Sequence, residues 1–176
     1  MTVYFLRHAS AGQHTMNASQ DEKRPLDEDG IKQSHDVGRA LKALKIGVDA
    51  IISSPLTRAL QTAEIVGEEI GHKKIVKDAA LRPDASYEDF QKLLGKFAGK
   101  KEIIVAGHNP NLTEFLNHLL ADGDGFHMID MKKGAVAKVE IESSGGPKLA
   151  WYMPPKVIRA LQKGSAKSSR PKTVLK

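Results

Sequence analysis

The chain has 176 residues, 40% of them hydrophobic, which is enough for one domain with a sizeable core. It carries 27 Lys and Arg against 21 Asp and Glu, a formal net charge of +6, and it has no Cys, which excludes disulfides and thiol chemistry. No apolar run reaches the ~18–20 residues of a membrane-spanning helix, and no signal peptide is visible, so a cytoplasmic location is expected.

In chain order, Thr2-Val3-Tyr4-Phe5-Leu6 reads as a buried strand that stops at Arg7-His8. Residues 10–29 are polar and show no clear period. A helix follows, capped by Asp27 or Asp29, with Ile31, Val37, Leu41 and Leu44 on its apolar face and Gly47 beyond its end. Residues 49–53 form a second strand. Thr57 starts a helix carrying Leu60, Ala63, Ile65, Val66 and Ile70, and Gly71 stops it. A short strand covers 74–77, and an amphipathic helix with Phe90, Leu93, Leu94 and Phe97 covers 87–97. The next strand is 102–106. Asn111 or Thr113 opens a helix holding Leu112, Phe115, Leu116, Leu119 and Leu120. Two strands, 135–141 and 149–153, flank a Ser-Ser-Gly-Gly turn at 143–146, and a last short helix spans 155–162.

Strands alternating with helices predict an α/β fold. The architecture is a three-layer α/β/α sandwich, with a mainly parallel sheet and an antiparallel edge. One domain occupies 1–163, followed by a basic, unpacked tail at 164–176. Seven basic residues and no acid lie between Pro154 and Lys176. The rest of the chain has 20 basic against 21 acidic residues, a net charge of −1, so the basic pI comes from this end.

Arg and His residues sit where strands end. Arg7-His8 follows the first strand, Arg58 lies just beyond the second, and His108 follows the strand at 102–106. In open α/β sheets, ligands bind beyond the carboxyl ends of the strands. Arg presents a planar fork of donors suited to phosphate oxygens. A His with one free ring nitrogen can attack phosphorus and split one hard step into two. A second His can donate to the transferring group, and Thr57 at a helix start would aim free N–H groups at an anion. No Cys, no His-Glu-x-x-His and no P-loop sequence is present, so no metal site or cofactor is expected.

These residues carry a resemblance. Arg7-His8-Ala9, the block from Ser53 to Ala63 that contains Arg58-Ala59-Leu60-Gln61-Thr62, and Gly107-His108-Asn109-Pro110 resemble the histidine phosphatase superfamily. The small size, Arg24-Pro25-Leu26 ahead of Gly30, and Leu81-Arg82-Pro83 resemble its SixA-type phosphohistidine phosphatases. The resemblance spans roughly residues 2–153. It implies a phosphoglycerate mutase-like fold and a metal-independent phosphatase. It makes His8 the nucleophile that becomes phosphorylated, and Arg7, Arg58 and His108 the clamp on the phosphoryl oxygens. Arg24 would line the entrance or contact the phosphate. The partner implied is a phosphohistidine-bearing protein of the phosphotransfer or phosphocarrier type, with phosphate or a similar anion in the site.

Three positions depart from the pattern. Ala9 stands where Gly is usual, and would be strained if that position needed φ > 0. His14 stands where larger members have a phosphate-contacting Asn. Pro83 stands where larger members have a Glu proton donor, and the neighbouring Asp84 is a candidate substitute. An alkoxide is a poor leaving group, with a parent pKa near ~15 by analogy with water, so phosphate esters need a donor. Imidazole, with a pKa of about 6.5, leaves a phosphorus–nitrogen bond with little help. Phosphohistidine therefore suits this site better than a sugar phosphate. Two alternatives remain: a phosphatase for a small phosphorylated metabolite, and a non-catalytic phosphate- or nucleic-acid-binding module driven by the basic tail. Nucleic acid and membrane partners are not expected. Asn111 is expected to cap its helix, Ser53 and Ser54 to serve the strand–helix junction, and His35, His72, His118 and His127 to lie on the surface.

Overall fold

The computed structural model describes residues 1–121, 129–142 and 145–168, with side chains to 162. Six strands form one sheet in the order β3-β2-β4-β1-β5-β6. They are β1 (Thr2–Arg7), β2 (Ala50–Ser53), β3 (Ile75–Lys77), β4 (Glu102–Gly107), β5 (Val136–Ile141) and β6 (Pro147–Met153). The first four run parallel, β5 pairs antiparallel with β1, and β6 with β5. The expected parallel sheet with an antiparallel edge is what forms.

Helices cover both faces. The helices are α1 (Ala18–Glu22), α2 (Glu28–Ala43), α3 (Thr57–Ile70), α4 (Tyr87–Lys96), α5 (Asn111–Leu120) and α6 (Pro155–Ser168). Alternation along the central strands sorts the core. Tyr4, Leu6, Ile51 and Ile104 point to one face and meet Val37 and Leu41 of α2, Ala63 and Val66 of α3, and Ile158 of α6. Val3, Phe5, Ile52, Ile103 and Val105 point to the other and meet Phe90 and Leu93 of α4 and Leu112 and Phe115 of α5. Both faces of β1 and β4 are thus buried, which is why they read as unbroken apolar runs. The helices after β1 and β4 lie on opposite faces, so a crevice opens between the carboxyl ends of these two neighbouring strands.

Several boundaries differ from expectation, each for a local reason. Asp27, not Asp29, caps α2: one carboxylate oxygen accepts from Gly30 N at 2.7 Å, and the other from Ser10 Oγ at 2.7 Å and Gly12 N at 2.8 Å. Gly71 ends α3 in the left-handed region at φ 81°. Asn111 is not a side-chain cap. Pro110 occupies that place, and Asn111 Nδ2 donates instead to Ala85 O at 2.5 Å. The β6 strand begins two residues early, at Pro147, with a register irregularity opposite Lys138 and Val139. The last helix runs to Ser168 rather than stopping near 162, and α1 and a 3-10 turn at Ala79–Leu81 were not foreseen. Ser143 and Ser144 of the expected turn lie outside the described residues, as does His127. No helix among the described residues is long and apolar enough to cross a membrane.

The loop leaving β1 rests directly on the start of α2. A Cβ at Gly30 would stand 1.9 Å from Ser10 O, so only glycine allows this approach. Gly30→Ala is expected to cost about 1–3 kcal/mol by overpacking, read as a lower midpoint in urea unfolding. An unchanged midpoint would show that the loop gives way freely.

Candidate active site

The carboxyl ends of β1, β2 and β4 converge because their register is continuous: Arg7 pairs with Gly107, and Ser53 with Ala106. His8 N then donates to Gly107 O at 3.0 Å, and Ser54 N to Ala106 O at 2.9 Å. His8 and His108 are thereby brought together, their rings tilted by 51° with centroids 5.0 Å apart. Arg58, in the first turn of α3, reaches into the same crevice. His8, Arg58 and His108 are 6%, 5% and 2% exposed, and a set of cations and imidazoles is rarely so buried without a purpose.

Hydrogen bonding fixes the state of His8. Its Nδ1 lies 2.7 Å from Ala9 O, and a carbonyl only accepts. The proton therefore sits on Nδ1, and Nε2 carries a free lone pair. Burial holds the imidazole neutral, pushing its pKa down to about 3. The Ala9 hydrogen bond works against that shift, while the charges of Arg58, Arg7 and Lys133 add to it. Ala9 itself is unstrained, since Lys45 is the only non-glycine residue with positive φ among those described.

His108 is set in the opposite sense. Its Nε2 lies 2.9 Å from Ser54 Oγ, which already accepts from Leu56 N at 3.3 Å. When the Ser54 hydroxyl donates to Nε2, the proton of the neutral His108 ring sits on Nδ1. Burial, then His8, Arg58, Arg7 and Arg24, lower its pKa to about 2.

Both arginines are gripped by one end. Arg7 Nη1 donates to Met131 O at 2.5 Å. Arg58 Nη1 donates to Asp21 O at 2.8 Å and lies 3.2 Å from the Asp21 carboxylate. In each, Nε is buried with no acceptor, and so is His108 Nδ1. Two buried guanidinium N–H groups and one buried imidazole nitrogen are thus unpartnered and left for a guest with several acceptor oxygens. An unmade buried hydrogen bond costs about 1–3 kcal/mol, and a phosphoryl group would recover that cost.

Arg24 lies one step back. Its Nε bonds Asp21 at 2.9 Å and its Nη1 bonds Ala11 O at 2.5 Å, so it secures the carboxylate that holds Arg58. Sequence reading missed Asp21 and the side-chain roles of Ser54 and Thr62. The Thr62 hydroxyl donates to Arg58 O at 2.7 Å and accepts from Ala9 N at 3.1 Å, tying the nucleophile loop to α3. Its place four residues after Arg58 was the available signal. His14 is an exposed side chain 3.7 Å from Asp21. Asp84 is also exposed, 3.2 Å from Arg82 Nε, on a cleft of about 340 Å3 that Arg58 and Met16 also line. His35 bonds Glu69 at 2.8 Å, and His118 stacks on Tyr87 at 4.9 Å. Among the described residues, no three His, Asp or Glu are gathered as a metal-ligand group.

The family profile described as histidine phosphatase superfamily (branch 1) matches residues 3–93. The chain belongs to that superfamily. Within it the chain is SixA-type. Phosphohistidine phosphatase SixA of Escherichia coli (strain K12) is 27% identical over 161 residues, covering 88% of this chain and 94% of its own. An uncharacterized protein of Picosynechococcus sp. is 31% identical over 140 residues, covering 77% of this chain and 82% of its own. The structure of the protein histidine phosphatase SixA complexed with tungstate superposes with a TM-score of 0.76 at 26% identity, over 89% of this chain and 98% of that one. The fold of this superfamily member is accordingly phosphoglycerate mutase-like.

The two histidines link stability to pH. An unfolded histidine takes up its proton near pH 6.5, whereas His8 and His108 stay neutral down to about 3 and about 2. Between those limits the unfolded chain binds more protons, so stability falls as pH drops from about 6.5. His108→Asn removes one of the two contributions, and its unfolding free energy should decline less steeply with acid than the native protein's. Parallel declines would contradict the assignment of a buried, neutral His108.

Proposed function

We propose that this protein hydrolyses phosphohistidine on a partner protein through a phospho-His8 intermediate. The observation that carries the reading is the His8 tautomer: Nδ1 is committed to Ala9 O, which leaves Nε2 its lone pair, while Arg7 Nε, Arg58 Nε and His108 Nδ1 are buried without partners. His8 Nε2 attacks phosphorus, and the phosphorus–nitrogen bond of the substrate breaks. The substrate ring, protonated on its far nitrogen, leaves as neutral imidazole. Positive charge then develops on the His8 ring and is met by Ala9 O through Nδ1–H. Water next attacks the same phosphorus, the bond to Nε2 breaks, inorganic phosphate departs and a proton passes to solvent. Arg7, Arg58 and His108 hold the equatorial oxygens through both steps.

Two features support phosphohistidine over an ester. Pro83 stands in the place of a proton donor, which a leaving imidazole does not need. The 27% identity to SixA of Escherichia coli, named as a phosphohistidine phosphatase, points the same way. The ester reading draws on Asp84, which lines the same cleft as Arg58.

The test compares a phosphohistidine-bearing carrier protein with p-nitrophenyl phosphate, in EDTA. Phosphohistidine is expected to turn over faster, and His8→Ala to lose at least about 10^3-fold. Preference for the ester would replace this reading with a small-molecule phosphatase. Turnover of neither substrate would favour the binding-module alternative. Asp84→Asn separates the enzymes independently. A working general acid contributes about 10²–10⁴-fold, and the account expects almost no loss on phosphohistidine.

A further inference from the structure

Arg7 owes its orientation to residues that touch neither His8 nor the pocket. Its Nη1 donates to Met131 O, and that carbonyl also accepts from Asn109 Nδ2 at 3.0 Å. The Met131 N–H in turn donates to Thr113 Oγ1 at 3.1 Å. Thr113 Oγ1 donates its own hydrogen to Asn109 Oδ1 at 3.0 Å, closing a ring. A longer contact of 3.5 Å joins Asn109 Nδ2 to Asp130. Both polar groups of the Met131 backbone are therefore held, from Thr113 in the first turn of α5 and from Asn109 two residues before it. That segment also carries His108.

We infer that Asn109 and Thr113 are positioning residues that aim Arg7 through the Met131 peptide. A guanidinium has two ends. Once Nη1 is spent on a carbonyl, the side-on edge of Nε and Nη2 is what remains for a phosphoryl group. Arg58 repeats the device, with Nη1 on Asp21 O and Nε buried without a partner. For Arg58 the anchoring peptide belongs to α1. For Arg7 it belongs to residues 129–135 before β5, a stretch that forms no helix among the described residues. Asn109 and Thr113 supply that fixation. Asn109 can donate and accept at once, and Thr113 sits four residues later, one helical turn away, where its hydroxyl meets both groups. Because the ring hangs from the segment that carries His108, it also ties the position of Arg7 to that of His108.

This inference rests on the phosphatase reading, and the experiment separates the two. Inhibition by inorganic phosphate and kcat/KM on the phosphohistidine protein are measured for Asn109→Ala, Thr113→Val, Arg7→Ala and the double variants with Arg7→Ala. Thr113→Val keeps the side-chain shape and serves where Asn109→Ala unfolds. Each single variant is expected to weaken phosphate inhibition and kcat/KM about tenfold, the scale of one lost hydrogen bond. In the Arg7→Ala background the same changes are expected to do nothing further, because the residue they aim is gone. Effects that persist undiminished in that background would mark a merely structural role and overturn the inference. Unchanged phosphate inhibition in both single variants would overturn it too. If Arg7→Ala itself leaves phosphate inhibition intact, the clamp reading falls and takes this inference with it.

Discussion

Three buried nitrogens without a hydrogen-bond partner, on Arg7, Arg58 and His108, are the constraint around which the site is built. Folding ordinarily eliminates such groups, because each costs about 1–3 kcal/mol. Here every neighbouring acceptor is turned away or already used. Met131 O and Asp21 O take the far ends of the arginines, and Ser54 caps the far side of His108. The result is a set of buried groups preorganised for a tetrahedral or planar group of oxygens. A neutral His8 at its centre follows from the same burial. The surrounding cations that would bind the phosphoryl group also keep the nucleophile unprotonated.

The fold contributes position more than chemistry. Parallel strands β1, β2 and β4 end together, and their register sets His8, Ser54 and His108 within one crevice. The polar loop after β1 would be loose by composition, yet it is pinned at several points. Ser10 and Gly12 bind Asp27, Ala9 binds Thr62, and the close approach at Gly30 leaves Ser10 no room to drift. The α1 helix buries no residue at all. It is held by ion pairs, Asp21 to Arg24 and Arg58 and Glu22 to Arg82, which span the mouth of the site. Charge, rather than apolar packing, places this helix over the clamp.

That distinction explains what could be read from the sequence. Strands and helices with an apolar face announced themselves by period, and the cations and imidazoles at their ends marked the crevice. The α1 helix has no apolar face, so periodicity was silent over residues 10–29 and Asp21 went unnoticed. Asn111 looked like a helix cap because of its residue type. Its side chain instead bonds Ala85 O, across to the loop before α4, a long-range choice that local sequence does not encode. Ser54 was assigned to the strand–helix junction, and it is there, but its hydroxyl also bonds His108 Nε2. Roles of this kind depend on a partner some fifty residues away, and no spacing rule reaches that far.

The central claim is that His8 Nε2 becomes the phosphoryl carrier. Its most direct test is to mix the protein with a phosphohistidine-bearing protein, quench in base within the first turnover, and locate the phosphoryl group by peptide mass spectrometry. The account predicts a base-stable, acid-labile adduct on the peptide containing His8, absent in His8→Ala. Turnover with no adduct on that peptide, and retained in His8→Ala, would contradict it.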